Sequence, residues 1–184
     1  KTLVVLHFLK CINLNIILYY NMILNNKITK LFLSICIRII LTIIILYTLN
    51  IPIFCKILLI ILIDVIDCNI PCFLFGPENW IDCNANIYQM SDKITDTICY
   101  ILLLFYILKN GNMTTNYNNL IILLFIYRLI GTFLFLIKKN KKYLFYFPNF
   151  FLEICLGLMI IKYYPILEKF RKIIIIIIII YKII

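Results

Sequence analysis

The sequence has few charged residues for a chain of 184 amino acids. Only 14% of its residues are charged, whereas 65% are hydrophobic, and its mean hydropathy is +1.07. Soluble domains are about half apolar and about a quarter charged. A soluble fold could not bury this much apolar surface, so the composition predicts a protein whose helices face lipid and one another in a membrane.

Alanine and histidine are almost missing, since Ala85 is the only alanine and His7 the only histidine. The scarcity of alanine beside abundant isoleucine, asparagine and lysine is typical of an AT-rich genome, and it weakens propensity arguments. Cys68, Cys72 and Cys83 flank one loop and could bind zinc with a fourth ligand, but no histidine lies near them to complete the site.

A stripe of basic and aromatic residues is also missing. The formal net charge is +10, which is compatible with a nucleic-acid-binding protein. However, the lysines and arginines lie mostly between apolar segments, as in the loops of membrane proteins. The sequence therefore predicts no nucleic-acid partner.

Six segments are long and apolar enough to be membrane spans, each of which needs about 20 mostly apolar residues. We expect them at residues 31–49, 51–67, 91–108, 119–137 and 143–163, with the last running from 165 into an isoleucine tract. Pro148 is expected to kink the fifth span. Because lipid cannot satisfy open backbone groups, the predicted fold is an all-α, multi-pass transmembrane helix bundle.

The predicted bundle covers residues 31–184 and follows an N-terminal segment, residues 1–30, that we expect to be cytosolic or interfacial. Residues 1–24 mix asparagines into an apolar run, so they form either an interfacial helix or a seventh span. They contain no small-residue cleavage site, so a signal peptide is not predicted. We expect an integral membrane protein, in an endomembrane such as the endoplasmic reticulum if the source is eukaryotic or viral.

The aspartates are confined to one part of the chain, and all five lie between positions 64 and 96. Asp64 and Asp67 end the second predicted span, and Asp92 and Asp96 begin the third. Spacings of three and four place each pair on one helix face. If the two helices are neighbours, four carboxylates meet near one membrane surface, where their repulsion favours a divalent cation.

The simpler alternative is that these acids are solvated helix ends. The helix dipole favours an acid at a helix N-terminus, which suits Asp92, but it disfavours Asp64 and Asp67 at a C-terminus. The aspartates therefore remain candidate metal ligands.

Other ionisable residues fall at membrane depth, where such groups usually face a bundle interior or a polar cavity. Arg38, Arg128 and Glu153 are of this kind, and Arg128 could pair with Glu153. Lys56 lies near a helix start and is expected to snorkel to the surface. A polar pocket between helices would explain these residues, and it would fit a transporter as well.

The two aspartate pairs resemble the signature of the CDP-alcohol phosphatidyltransferase family, D-x-x-D-G-x-x-A-R followed by G-x-x-x-D-x-x-x-D. Asp64-Val-Ile-Asp67 matches the first pair, and Asp92-Lys-Ile-Thr-Asp96 matches the second. The "ITD" of Ile94–Asp96 is most similar to the phosphatidylinositol synthase branch. Asn26-Lys-Ile-Thr29 resembles the N-x-x-T that often precedes the family's first helix.

The match is confined to the acidic residues of the signature. Where the family has glycine, alanine and arginine after the first pair and glycine before the second, this chain has Cys68, Pro71, Cys72 and Tyr88. In the family, the glycine and alanine residues among these positions let the cytidine nucleotide approach the backbone. The resemblance thus covers the metal ligands and not the residues beside the nucleotide.

The resemblance implies a transferase of phospholipid synthesis that depends on Mg²⁺ or Mn²⁺. Asp64, Asp67 and Asp92 would bind metal, and Asp96 would complete the metal site and act as general base on the acceptor hydroxyl. That hydroxyl would attack the β-phosphorus of a CDP-lipid and release CMP. The implied partners are membrane lipids, CDP-diacylglycerol and a small alcohol acceptor, and a homodimer is allowed.

Two alternatives remain open at this point. The basic loop at Lys138–Lys142 either attracts an anionic acceptor or lipid headgroups, or only sets the topology. The whole chain is either an active transferase, or a catalytically degenerate relative or unrelated multi-pass membrane protein with a structural or transport role.

Overall fold

A computed structural model describes residues 27–66, 69 and 86–183. Every regular element in this part of the chain is a helix, so the predicted all-α helix bundle is confirmed. The predictions for residues 1–26, for Asp67 and for the loop with Cys68, Cys72 and Cys83 concern positions outside the described residues.

The helices follow the predicted spans, with differences in length and continuity. In chain order they are α1 (Lys27–Tyr47), α2 (Ile53–Ile66), α3 (Asn86–Asn110), α4 (Thr115–Lys138), α5 (Lys142–Tyr146), α6 (Phe151–Tyr163), a 3-10 helix (Pro165–Phe170) and α7 (Arg171–Ile183).

The fifth predicted span is broken into α5 and α6 at residues 147–150, as expected from Pro148. Proline has no backbone N–H, and its ring clashes with the preceding helical turn. The interruption leaves the Phe147 carbonyl free for another donor. The predicted kink is therefore confirmed as a complete break between two helices.

Three helical stretches of the described residues have the length and apolar composition needed to cross a membrane. They are Thr29–Tyr47, Thr115–Lys138 and Lys142–Tyr163, the last combining α5 and α6. Helix α2 has 14 residues and is therefore only roughly 21 Å long. Helix α3 has 25 residues, but its first turns carry Asp92, Lys93 and Asp96. The three apolar stretches support a membrane protein.

Helix α6 lies at the centre of the bundle and is buried on nearly all sides. It packs against α2, α4 and α7, while α3 packs between α1 and α4. The Phe151 ring is fully buried, and its centroid lies 5.6 Å from those of Tyr100 and Phe125. This packing places α1, α2 and α3 beside one another, so their polar residues can meet inside the bundle.

Lys56 does not snorkel to the surface as the sequence suggested, because it is only 5% exposed. Its Nζ donates to the Leu46 carbonyl oxygen at 2.8 Å and to the Tyr106 hydroxyl at 2.7 Å. The Leu46 carbonyl is among the last four of α1, which have no partner within the helix. Lys56 on α2 therefore caps α1 and joins both helices to α3.

We predict that Lys56→Met destabilises the protein by about 1–3 kcal/mol, because it leaves a buried carbonyl and hydroxyl without their donor. Chemical denaturation in detergent micelles, followed by circular dichroism, measures this loss. The matched control is Lys109→Met, at an exposed position of α3, which should change stability by less than about 0.5 kcal/mol. Equal stability of the two variants would contradict the capping role.

Candidate functional site

Arg38 on α1 lies between the two helices that carry the aspartates. Its guanidinium donates through Nη2 to Asp64 on α2 and to Asp96 on α3, and through Nη1 to Asp92 at 2.8 Å. Three of the four predicted site residues therefore lie together inside the bundle, and Asp67 lies outside the described residues. We call Asp64, Asp92 and Asp96 the aspartate cluster.

Lys93 is the second cation of this site. Its Nζ lies 2.5 Å from Asp92 Oδ2 and 2.8 Å from Asp96 Oδ2. Asp92 and Asp96 each use their other oxygen, Oδ1, to bind Arg38. The two carboxylates and the two cations thus form a closed ring of alternating charge.

The aspartate cluster is largely buried. The side chains of Asp96, Asp92 and Asp64 are 4%, 13% and 28% exposed. Carboxylates removed from water must be paired with cations or hydrogen-bond donors, since an unpaired buried charge costs several kcal/mol. Burial of Asp96 argues against the alternative that these acids are solvated helix ends.

Small side chains on α1 and α3 hold Arg38 at the level of the aspartates. Thr42, one turn after Arg38, donates to the Arg38 carbonyl at 2.9 Å, and its hydroxyl lies 3.5 Å from Cys99 Sγ. Both Thr42 and Cys99 are almost fully buried. Their size allows the two helices to approach closely, which fixes the height of Arg38 relative to α3.

With Arg38 bound among them, these carboxylates are not arranged to hold a metal ion. Carboxylate oxygens are the ligands that Mg²⁺ and Mn²⁺ prefer, so the ligand type is suitable. Among residues 27–66, 69 and 86–183, however, no group of three His, Cys, Asp or Glu side chains is arranged to hold one. The point on which the aspartates converge is taken by the guanidinium of Arg38.

The roles of Arg38 and Lys93 were not predicted from the sequence, whereas the three described aspartates were. A signal for Arg38 was present, because an arginine inside an apolar helix requires an anionic partner. The aspartates of this chain all lie in one region. That restriction could have identified the aspartates as the partners of Arg38.

A cationic pocket of about 600 Å³ adjoins the aspartate cluster and is lined in part by Lys93, Arg128 and Lys182. Lys93 belongs to both the pocket and the ion-pair ring. Asn149 also lines the pocket; its Nδ2 donates to the Tyr100 hydroxyl at 2.7 Å. Among the described residues, buried Arg128 Nε and Asn149 Oδ1 have no hydrogen-bond partner. Both atoms belong to residues that line the pocket but are themselves buried, so they are not exposed to a ligand in this arrangement.

The expected pairing of Arg128 with Glu153 is wrong. Arg128 Nη1 donates to the Phe147 carbonyl at 2.9 Å, and Glu153 Oε1 lies 2.6 Å from Lys182 Nζ. The break between α5 and α6 provides the free carbonyl that takes the place of a carboxylate. Arg128 thus has no acidic partner among the contacts of the described residues.

The basic loop lies next to α5, which contributes to the wall of the cationic pocket. Lys138, Lys139, Lys141 and Lys142 are all exposed, and Lys139 ends α4 in a left-handed conformation with φ of 51°. The loop itself does not line the pocket. Its role as an attractor of anions or as a topology signal stays a prediction.

Comparisons of the chain with protein-family models, with curated proteins and with solved structures give no match.

We predict that Asp96→Asn destabilises the protein by about 3–5 kcal/mol, because it breaks two buried ion pairs at once. Asp64→Asn should cost less, since Asp64 is more exposed and pairs, among the described residues, with Arg38 alone. Denaturation in detergent micelles ranks the two variants. The control is Glu168→Gln, in an exposed pair with Arg171, which should change stability by no more than about 1 kcal/mol. A loss of stability for Asp96→Asn as small as that of the control would contradict the predicted cost of breaking the two buried ion pairs.

Proposed function

We propose that the chain is a membrane-embedded transferase of the CDP-alcohol phosphatidyltransferase type. It would transfer a phosphatidyl group from a CDP-lipid to an alcohol acceptor in phospholipid synthesis, in an endomembrane if the source is eukaryotic or viral. The observation that carries the proposal is the convergence of Asp64, Asp92 and Asp96 inside the helix bundle. The signature predicts this meeting of acids from the second and third spans.

The cationic pocket supports the proposal by providing space for an acceptor. Its volume of about 600 Å³ is within the usual range of small-molecule sites, about 300–1,000 Å³. Arg128, whose contacts among the described residues include no acid, suits an acceptor that carries a phosphate group.

Asp96 is the residue that we assign as general base. Such a base must reach the hydroxyl proton of the acceptor within hydrogen-bonding distance. Asp96 does not itself line the pocket, but its Oδ2 is bonded to Lys93, which does. Arg38 and Lys93 supply positive charge beside the reacting phosphate groups, where charge develops in the transition state.

A second candidate function is that of a catalytically degenerate relative with a structural role. It is favoured by one observation, the position of Arg38 among the carboxylates. In this alternative the ion pairs only hold α1, α2 and α3 together, and the acids perform no chemistry.

An activity assay distinguishes the two candidates. Purified full-length protein in detergent micelles is incubated with CDP-diacylglycerol, Mn²⁺ and labelled inositol or glycerol phosphate, and CMP release is measured. We expect CMP in the presence of an acceptor, and at least about 100-fold less with Asp96→Asn, which lacks the base.

Two controls accompany the assay. Glu168→Gln, which changes an exposed ion pair away from the aspartate cluster, should retain the wild-type rate. Each variant is also checked for helix content before it is assayed. Folded wild-type protein that releases no CMP with any acceptor of the panel would contradict the transferase and support the degenerate relative.

A further inference from the structure

The guanidinium of Arg38 uses the oxygens that would converge on a metal ion. It binds Oδ1 of Asp64, Oδ1 of Asp92 and Oδ1 of Asp96. The second oxygens of Asp92 and Asp96 are bonded to Lys93. Both oxygens of these two aspartates are therefore already occupied by cationic side chains.

A divalent ion and this guanidinium cannot share the site in the same arrangement. Oxygen ligands lie roughly 2.0–2.6 Å from Mg²⁺ or Ca²⁺, so a metal bound by the three Oδ1 atoms would overlap the Arg38 nitrogens that those atoms contact. Two cations placed this close in a buried site would also repel each other strongly. Occupancy by one excludes occupancy by the other.

The charges of the described residues show why the cluster would accept either cation. Three carboxylates face Arg38 and Lys93, which leaves one negative charge in excess among these groups. Exchanging the single charge of Arg38 for the double charge of a metal ion would bring the same groups to neutrality. The aspartates are therefore a cation site that the chain itself fills.

We propose that Arg38 is the resident cation of the aspartate cluster and that its guanidinium excludes a divalent metal ion from the three carboxylates. The inference goes beyond the proposed transferase and concerns binding alone. It assigns to Arg38 the place that the family resemblance assigns to Mg²⁺ or Mn²⁺. It also means that a metal can enter only after the guanidinium has left.

Mn²⁺ titration followed by electron paramagnetic resonance tests the proposal, because the signal reports free Mn²⁺ directly and needs no turnover. The proteins are full-length wild type and Arg38→Gln in detergent micelles. Removing the competing charge should tighten Mn²⁺ binding at least about tenfold, because the guanidinium no longer repels a second cation at the three oxygens. Equal affinity of the two proteins would overturn the proposal.

The matched control is Arg171→Gln. It removes the same charge from the chain, so it reports any general electrostatic attraction of Mn²⁺, but Arg171 pairs with Glu168 at an exposed position. Its Mn²⁺ affinity should equal that of the wild type. A gain as large as that of Arg38→Gln would overturn the proposal, since it would be independent of the aspartate cluster.

A stability measurement covers the case in which Arg38→Gln folds poorly. The proposal expects this variant to lose thermal stability in a chelator and to regain it with Mn²⁺, whereas the wild type should respond little. Arg38→Lys keeps one charge but lacks the two-nitrogen fork. Its Mn²⁺ affinity should therefore fall between those of wild type and Arg38→Gln. Wild-type protein that binds Mn²⁺ as tightly as Arg38→Lys would overturn the proposal.

Failure of this inference can be told apart from failure of the transferase. Tighter Mn²⁺ binding by Arg38→Gln without CMP release from wild type supports the resident arginine and contradicts the enzyme. CMP release from wild type, with equal Mn²⁺ affinities of wild type and Arg38→Gln, supports the enzyme and contradicts the resident arginine.

Discussion

The contact of one arginine with three aspartates joins helices α1, α2 and α3. Arg38 comes from α1, Asp64 from α2, and Asp92 and Asp96 from α3. None of these charges could be buried alone, because each would lose its hydration without a compensating partner. The guanidinium and the three aspartates therefore stabilise the packing of α1 against α2 and α3 together.

Much of the fold could be predicted from apolar runs, and the aspartate cluster from residue spacing. Aspartates three or four residues apart share a helix face, so two such pairs on neighbouring helices are expected to converge between those helices. Arg38 was placed at membrane depth but not assigned to the cluster, because an apolar helix of nearly uniform composition does not reveal which side faces its neighbours. Only the tertiary packing determines that direction.

The remaining differences also have physical causes. The pairing of Arg128 with Glu153 failed because the break at Pro148 freed the Phe147 carbonyl, which accepts from Arg128 instead. The buried position of Lys56 was missed because its partner is a backbone carbonyl at the end of another helix. In both cases a backbone carbonyl accepts the hydrogen bond. For Arg128 it replaces the expected Glu153 carboxylate, and for Lys56 it replaces the expected water at the surface.

The Lys56 cap limits how the site could rearrange. Helix α1 is attached to its neighbours at two heights, through Arg38 near its middle and through the Leu46 carbonyl at its end. A sliding or rotation of α1 would have to disrupt both attachments together. Rotation about the Arg38 side-chain bonds disrupts only one, so exchange of the cation is a local event that leaves the helix frame in place.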